Sequence, residues 1–208
     1  MQQADVHVEP PWSAEARVLF RPASAYGELS PKAASTTVLL VRKPLLLAFV
    51  LGCAVAALAS GRLSVRLIVD GAMSFAFVPA IELAAFATVY WTGRRRRIPF
   101  ARALDLFFAG NAPWLLWIVV VLALGSVVPP RQISPWILPV LVASLIPIVW
   151  SAYIDFHFFR EVMGRPARGA VRDLVIHRAL GWVAATVYFL GIAIWSETLP
   201  ELGAWMGL

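Results

Sequence analysis

Glu82 is a carboxylate deep inside the apolar run Leu67–Trp91, three residues after Pro79. A carboxylate at that depth is either protonated or paired, because an unpaired charge in an apolar medium is expensive. Asn111 sits in the next long apolar run, Ala103–Val128. Counting nine residues from Trp91 to Glu82 and eight from Ala103 to Asn111 places them about 14 Å and about 12 Å from the same end. A short connection makes the two segments antiparallel neighbours, so the side chains share a level. An interhelical hydrogen bond is the structural reading of this pair. A proton or substrate pathway centred on Glu82 is the functional one.

A second group of chemically capable residues is Asp155, His157 and His177, at the end of the fourth apolar run and the start of the fifth. Two imidazoles and a carboxylate are metal-ligand types. Their spacing follows no recurring ligand motif, however, and such residues near helix ends also serve as caps and dipole partners. The expectation is therefore no metal, no cofactor and no catalytic centre, with a membrane enzyme built on these three residues as the weakest rival. Asp70 and Asp105 lie near the ends of their runs, where water or a nearby arginine can reach them. No G-x-S-x-G, H-E-x-x-H or G-x-x-x-x-G-K-[ST] pattern occurs. The single cysteine, Cys53, excludes an intrachain disulfide and a thiolate zinc site.

The elements that position these residues follow from composition. Of 208 residues, 60% are hydrophobic and only 14% charged, with a mean hydropathy of +0.75. Soluble domains carry about a quarter charged residues, and a soluble core of this size cannot hide so much apolar surface. The sequence predicts an all-α polytopic membrane helix bundle with five spans: 44–60, 67–91, 103–128, 135–159 and 174–198. Pro79, Pro113, Pro139 and Pro147 fall inside them and predict kinks. Gly52, Ala56 and Ser60 recur every fourth residue, a pattern for close helix contact. Before the first span, 13–43 reads as a cytoplasmic interfacial segment. It comprises an amphipathic piece around Val18, Leu19, Phe20, Tyr26 and Leu29, then a helix opened by Ser30-Pro31. Residues 1–12 read as disordered, without the pattern of a cleaved signal, and 199–208 as an outer tail.

Charge sets the orientation. Fifteen of the eighteen cations lie on one side of a five-span plan: Arg17, Arg21, Lys32, Arg42 and Lys43 before the first span, five between spans two and three, and five around the fourth connection. Arg62, Arg66 and Arg131 lie opposite. By the positive-inside rule the N-terminus is cytoplasmic and the C-terminus outside. Arg94, Arg95, Arg96 and Arg97 are then anchors at the lipid headgroups, not a nucleic-acid patch, since no aromatic residue interleaves them. The sixteen arginines against two lysines suit a GC-rich bacterial genome, hence the inner (cytoplasmic) membrane.

Two stretches carry a family resemblance. Val18-Leu19-Phe20-Arg21-Pro22-Ala23-Ser24-Ala25-Tyr26 precedes the spans. Ile98-Pro99-Phe100-Ala101-Arg102-Ala103-Leu104 leads to Ala109-Gly110-Asn111-Ala112-Pro113-Trp114-Leu115-Leu116. Both resemble bacterial members of the Yip1-domain family over roughly Phe20–Thr198. The resemblance implies a cytoplasmic N-terminus, five helices, an outer C-terminus and a non-enzymatic protein that organises other membrane components or serves a membrane complex as an accessory subunit. The Asp-Leu-Tyr-Gly-Pro stretch of eukaryotic members is missing and only Tyr26-Gly27 remains of it, so neither GTPase binding nor any site residue carries over. The partners implied are membrane lipids and other membrane proteins, with no nucleic acid.

Overall fold

The computed structural model describes residues 14–29, 38–60, 63–93, 98–127 and 134–206. Among them there is no strand; the fold is all-helical. The expected disorder of 1–12, the Ser30-Pro31 cap and Arg94–Arg97 lie outside the described residues.

The elements in chain order are α1 (Ala14–Phe20), α2 (Pro22–Leu29), α3 (Val38–Ser60), α4 (Val65–Ser74), α5 (Phe77–Thr92), α6 (Phe100–Ala109), α7 (Ala112–Val127), α8 (Ser134–Ala143), α9 (Leu145–His157), a π-helical turn (Phe158–Val162) and α10 (Ala167–Met206). Four helical stretches are long and apolar enough to cross a membrane: Leu40–Leu58, Val65–Thr92, Ser134–Val162 and Ala167–Ile192. The pair Phe100–Ala109 and Ala112–Gly125, bent by 41°, makes a fifth if it is one broken span.

Proline explains where the long stretches break. Its ring clashes with the carbonyl four residues earlier, and its missing N–H leaves that carbonyl unpaired. The turn at Phe75–Ala76 precedes Pro79, and there the Phe75 carbonyl accepts from Val78 N at 3.0 Å instead. The turn at Gly110–Asn111 precedes Pro113, and Ser144 interrupts the helix ahead of Pro147. Pro139 sits inside α8 without a break. The stretch Ser134–Val162 ends when the π turn reaches Gly164, whose φ of 64° is a left-handed conformation that a side chain would disfavour.

Small residues set the closest helix contact. A Cβ on Gly52 would collide with the Ile68 carbonyl oxygen and stand 2.7 Å from Ala72 N, so α3 and α4 touch backbone to backbone. Gly71 faces Gly52 across that contact and Ala56 is buried one turn along.

The expected interfacial placement of the segment before the first span needs correction. The apolar sides of α1 and α2 face the protein: Val18 and Tyr26 are fully buried, and Trp150 Nε1 donates to the Leu19 carbonyl at 3.1 Å. They join an aromatic core with Phe86, Phe107 and Phe158. The outer surface is apolar instead, with Leu45, Val119, Leu138, Val149 and Trp182 all exposed. Such a surface suits lipid and is unsuited to water.

Candidate functional site: a polar interior and a basic cluster

The interior polar site forms where α5, the break between α6 and α7, α9 and α10 meet. Asn111 Nδ2 donates to Glu82 Oε2 at 2.6 Å. The break matters here. It frees Asn111 from the helix that Pro113 interrupts and brings Gly110 against α9, where an added Cβ would stand 3.2 Å from Asp155 Oδ1.

Asp155, 4% exposed, accepts from Arg178 Nη2 at 2.5 Å. The same Nη2 donates to Ser151 Oγ at 2.9 Å. Ser151 and Asp155 are four residues apart on α9, so they present a hydroxyl and a carboxylate on one face. Arg178 comes from α10, which begins at Ala167 and packs along α5 and α9. His177 is buried beside Arg178, with its ring edge-on to Phe107 at 4.8 Å and against the Glu82 backbone. Glu82, Asp155 and Arg178 lie within electrostatic reach of one another.

Tyr26 caps this site from α2. Its hydroxyl donates to the Leu106 carbonyl at 3.3 Å, and its ring packs edge-on to Phe158 at 5.6 Å. Burial, reinforced by the nearby Asp155 carboxylate, pushes the phenol well above its ordinary value, so it stays protonated at neutral pH.

The weak cluster Asp155, His157 and His177 does not assemble. Asp155 points inward to Arg178. His157, two residues later and so on another face, packs its ring against Tyr153 at 4.6 Å. Among the described residues no group of three or more His, Cys, Asp or Glu side chains is arranged to hold a metal.

A second charged site lies where α3 and α6 meet. Asp105, 3% exposed, receives Arg42 Nη2 at 3.0 Å, Lys43 Nζ at 3.3 Å and Arg102 Nη1 at 3.3 Å. Lys43 also donates to the Asp105 carbonyl at 2.7 Å, and Arg102 Nη2 to the Leu29 carbonyl at 2.8 Å. The pairing of Asp105 with a neighbouring arginine is therefore more elaborate than its position near a span end suggests. Asp70 keeps the simpler arrangement, an exposed i,i+4 pair with Arg66 at 3.7 Å.

Sequence reasoning missed Arg178 as the partner of Asp155, and Ser151 with it. The available signal was the Ser-x-x-x-Asp spacing on a helix facing an arginine inside an otherwise apolar run. No protein family, curated protein or solved structure matches this chain.

Proposed function

We propose that the chain is a multi-pass protein of the bacterial inner membrane that catalyses no reaction and organises other membrane components, or serves a membrane complex as an accessory subunit. Its N-terminus is cytoplasmic and its C-terminus outside, with the bent pair α6–α7 as the third of five spans. The observation carrying this reading is that the deep carboxylates Glu82 and Asp155 each have a side-chain partner on a neighbouring element. Glu82 with Asn111 ties α5 to the α6–α7 break, and Asp155 with Ser151 and Arg178 ties α9 to α10. Interior pairs of this kind fix helix neighbours and leave an apolar outer face for lipid and partner helices. The resemblance to Yip1-domain proteins points the same way, as does the fifteen-to-three division of cations.

A proton-linked role, as a small transporter or a proton-conducting subunit, is the second reading. Glu82 favours it by sharing one interior with Asp155, Arg178 and His177, so a carboxylate that exchanged protons there would have Asp155 and His177 to exchange with. Glu82→Gln separates the two. Glutamine keeps the shape and the hydrogen bond to Asn111 but cannot exchange a proton. Full retention of the partners that co-purify from native membranes, with unchanged proton flux in vesicles, supports the organising role; selective loss of proton flux refutes it.

A further inference from the structure

Where α5 meets the break between α6 and α7, the interior holds more hydrogen-bond acceptors than donors. Glu82 Oε2 takes the Asn111 amide at 2.6 Å, and Oε1 has no partner among the described residues. The Ala109 carbonyl, buried at the end of α6, loses its usual donor because Pro113 has no N–H. The Gly110 carbonyl receives no backbone donor among the described residues either. Carbonyls at the end of a helix point along its axis, here into the break that holds Asn111. His177, 5% exposed, touches Phe107 and the Glu82 backbone. The Glu82 carbonyl can take the hydrogen of one ring nitrogen; the other nitrogen is then an acceptor without a donor. Buried acceptors without donors are costly, so the group calls for an electron-poor ligand.

Charge narrows the ligand. Asp155 from α9 and Arg178 from α10 face Glu82 and offset each other. Lys43, which reaches the Asn111 side of the break from α3, pairs with Asp105. The ends of α6 and α7 oppose their dipoles across the break, so neither sets the sign. Ionised Glu82, by contrast, has only the neutral Asn111 amide. A proton neutralises Glu82 but gives one donor to several acceptors. A small monovalent cation neutralises it and gathers several oxygens at once, whereas a divalent ion favours more than one carboxylate. Discontinuous membrane helices offer sodium their unwound carbonyls in this way. We propose that Glu82, Asn111 and the carbonyls of Ala109 and Gly110 bind a sodium ion. As the ion enters, the Glu82 carboxyl loses its proton to water and the Asn111 amide turns to present Oδ1. Gly181, one turn beyond His177 on α10, leaves open space on that side, since a Cβ there would meet nothing within 4 Å. The site uses one carboxylate and neutral oxygens, so it needs no cluster of His, Cys, Asp and Glu. It deepens the second reading above and rests on its premise that Glu82 exchanges a proton.

The test uses the full chain in mild detergent at fixed pH. Dicyclohexylcarbodiimide adds to a protonated carboxyl in an apolar setting, so its labelling of Glu82, read by peptide mass spectrometry, reports the proton that sodium would displace. Rates are compared in sodium chloride and in choline chloride of equal ionic strength. At sodium ten times its dissociation constant, labelling should slow by about tenfold. Asn111→Ala removes one oxygen ligand and should raise the sodium concentration that halves the rate by at least about fivefold. Equal rates in sodium and choline overturn the sodium site while leaving proton exchange at Glu82 intact. Absence of labelling in both media refutes the proton-linked reading, and the site with it. An unchanged half-protecting concentration in Asn111→Ala overturns the part assigned to the break. Should that variant not fold, the wild-type comparison decides alone: slower labelling in sodium than in choline supports the site, and equal labelling refutes it.

Discussion

Breaking the Asp155–Arg178 pair should destabilise the bundle, and the two halves of the break should differ. Removing one partner of a buried pair costs about 3–5 kcal/mol, because the survivor is left charged and unpaired. The Asp155 side chain is 5% exposed and that of Arg178 30%, so the lower end applies. Asp155→Leu strands a guanidinium that cannot shed its proton, along with Ser151 Oγ as its one remaining acceptor. Arg178→Leu strands a carboxyl, which can neutralise itself by taking up a proton and so limits its own cost. The expected losses are about 3 kcal/mol for Asp155→Leu and about 2 kcal/mol for Arg178→Leu. In a chain of this size each kcal/mol shifts the midpoint by about 2–4 °C.

The double variant decides the matter. Replacing both partners with apolar residues removes the unpaired charge, so Asp155→Leu/Arg178→Leu should be more stable than Asp155→Leu alone. The coupling should therefore fall at about 2–3 kcal/mol. Thermal unfolding in a fixed detergent, followed by loss of monodisperse protein, measures all four corners of the cycle. Additive losses, with the double variant the least stable of the four, would refute the claim that the two side chains stabilise the bundle through each other.

Other outcomes follow from the same geometry. Gly52→Val should cost about 1–3 kcal/mol, since its Cβ meets backbone atoms of α4 that cannot rotate away; stability within about 0.5 kcal/mol of wild type in the same unfolding assay would contradict the close contact. Tyr26→Phe removes the hydroxyl that bonds the Leu106 carbonyl and should cost about 0.5–1.5 kcal/mol. The raised phenol also contributes stability that is complete below the ordinary tyrosine value, about pH 10, and is lost as pH climbs toward the folded-state value. Alkaline unfolding curves of wild type should therefore fall more steeply than those of Tyr26→Phe, and parallel curves would refute this. For topology, a reporter active only outside the cytoplasm should work after Leu208 and fail between Gly93 and Phe100; the reverse result would sink the orientation.

The helical class and the apolar segments were legible because hydropathy reports them directly. So was the meeting of Glu82 with Asn111, which needed only a depth count along two antiparallel helices. Arg178 was not legible, and a boundary explains why. Starting the fifth span at Leu174 places Arg178 four residues inside, about 6 Å, where it belongs with the headgroup cations. Helix α10 starts at Ala167, which puts Arg178 eleven residues and about 16 Å along, level with Asp155. A shift of seven residues at a helix start turns a surface cation into an interior partner.

The placement of α1 and α2 failed for a different physical reason. In a soluble protein an apolar stripe can only mean burial against protein. In a membrane protein the same stripe satisfies lipid or protein equally well, since both are apolar. Val18, Tyr26 and Leu29 therefore said that one side of this segment avoids water and nothing about what covers it. Only residues that lipid cannot satisfy break the ambiguity: small ones that admit a backbone, such as Gly52, and polar ones that need a partner, such as Glu82 and Asn111. Tyr26 carries such a signal in its hydroxyl, which finds the Leu106 carbonyl inside the bundle. A phenol serves equally well at a headgroup, however, so its type alone could not choose between the membrane surface and the core.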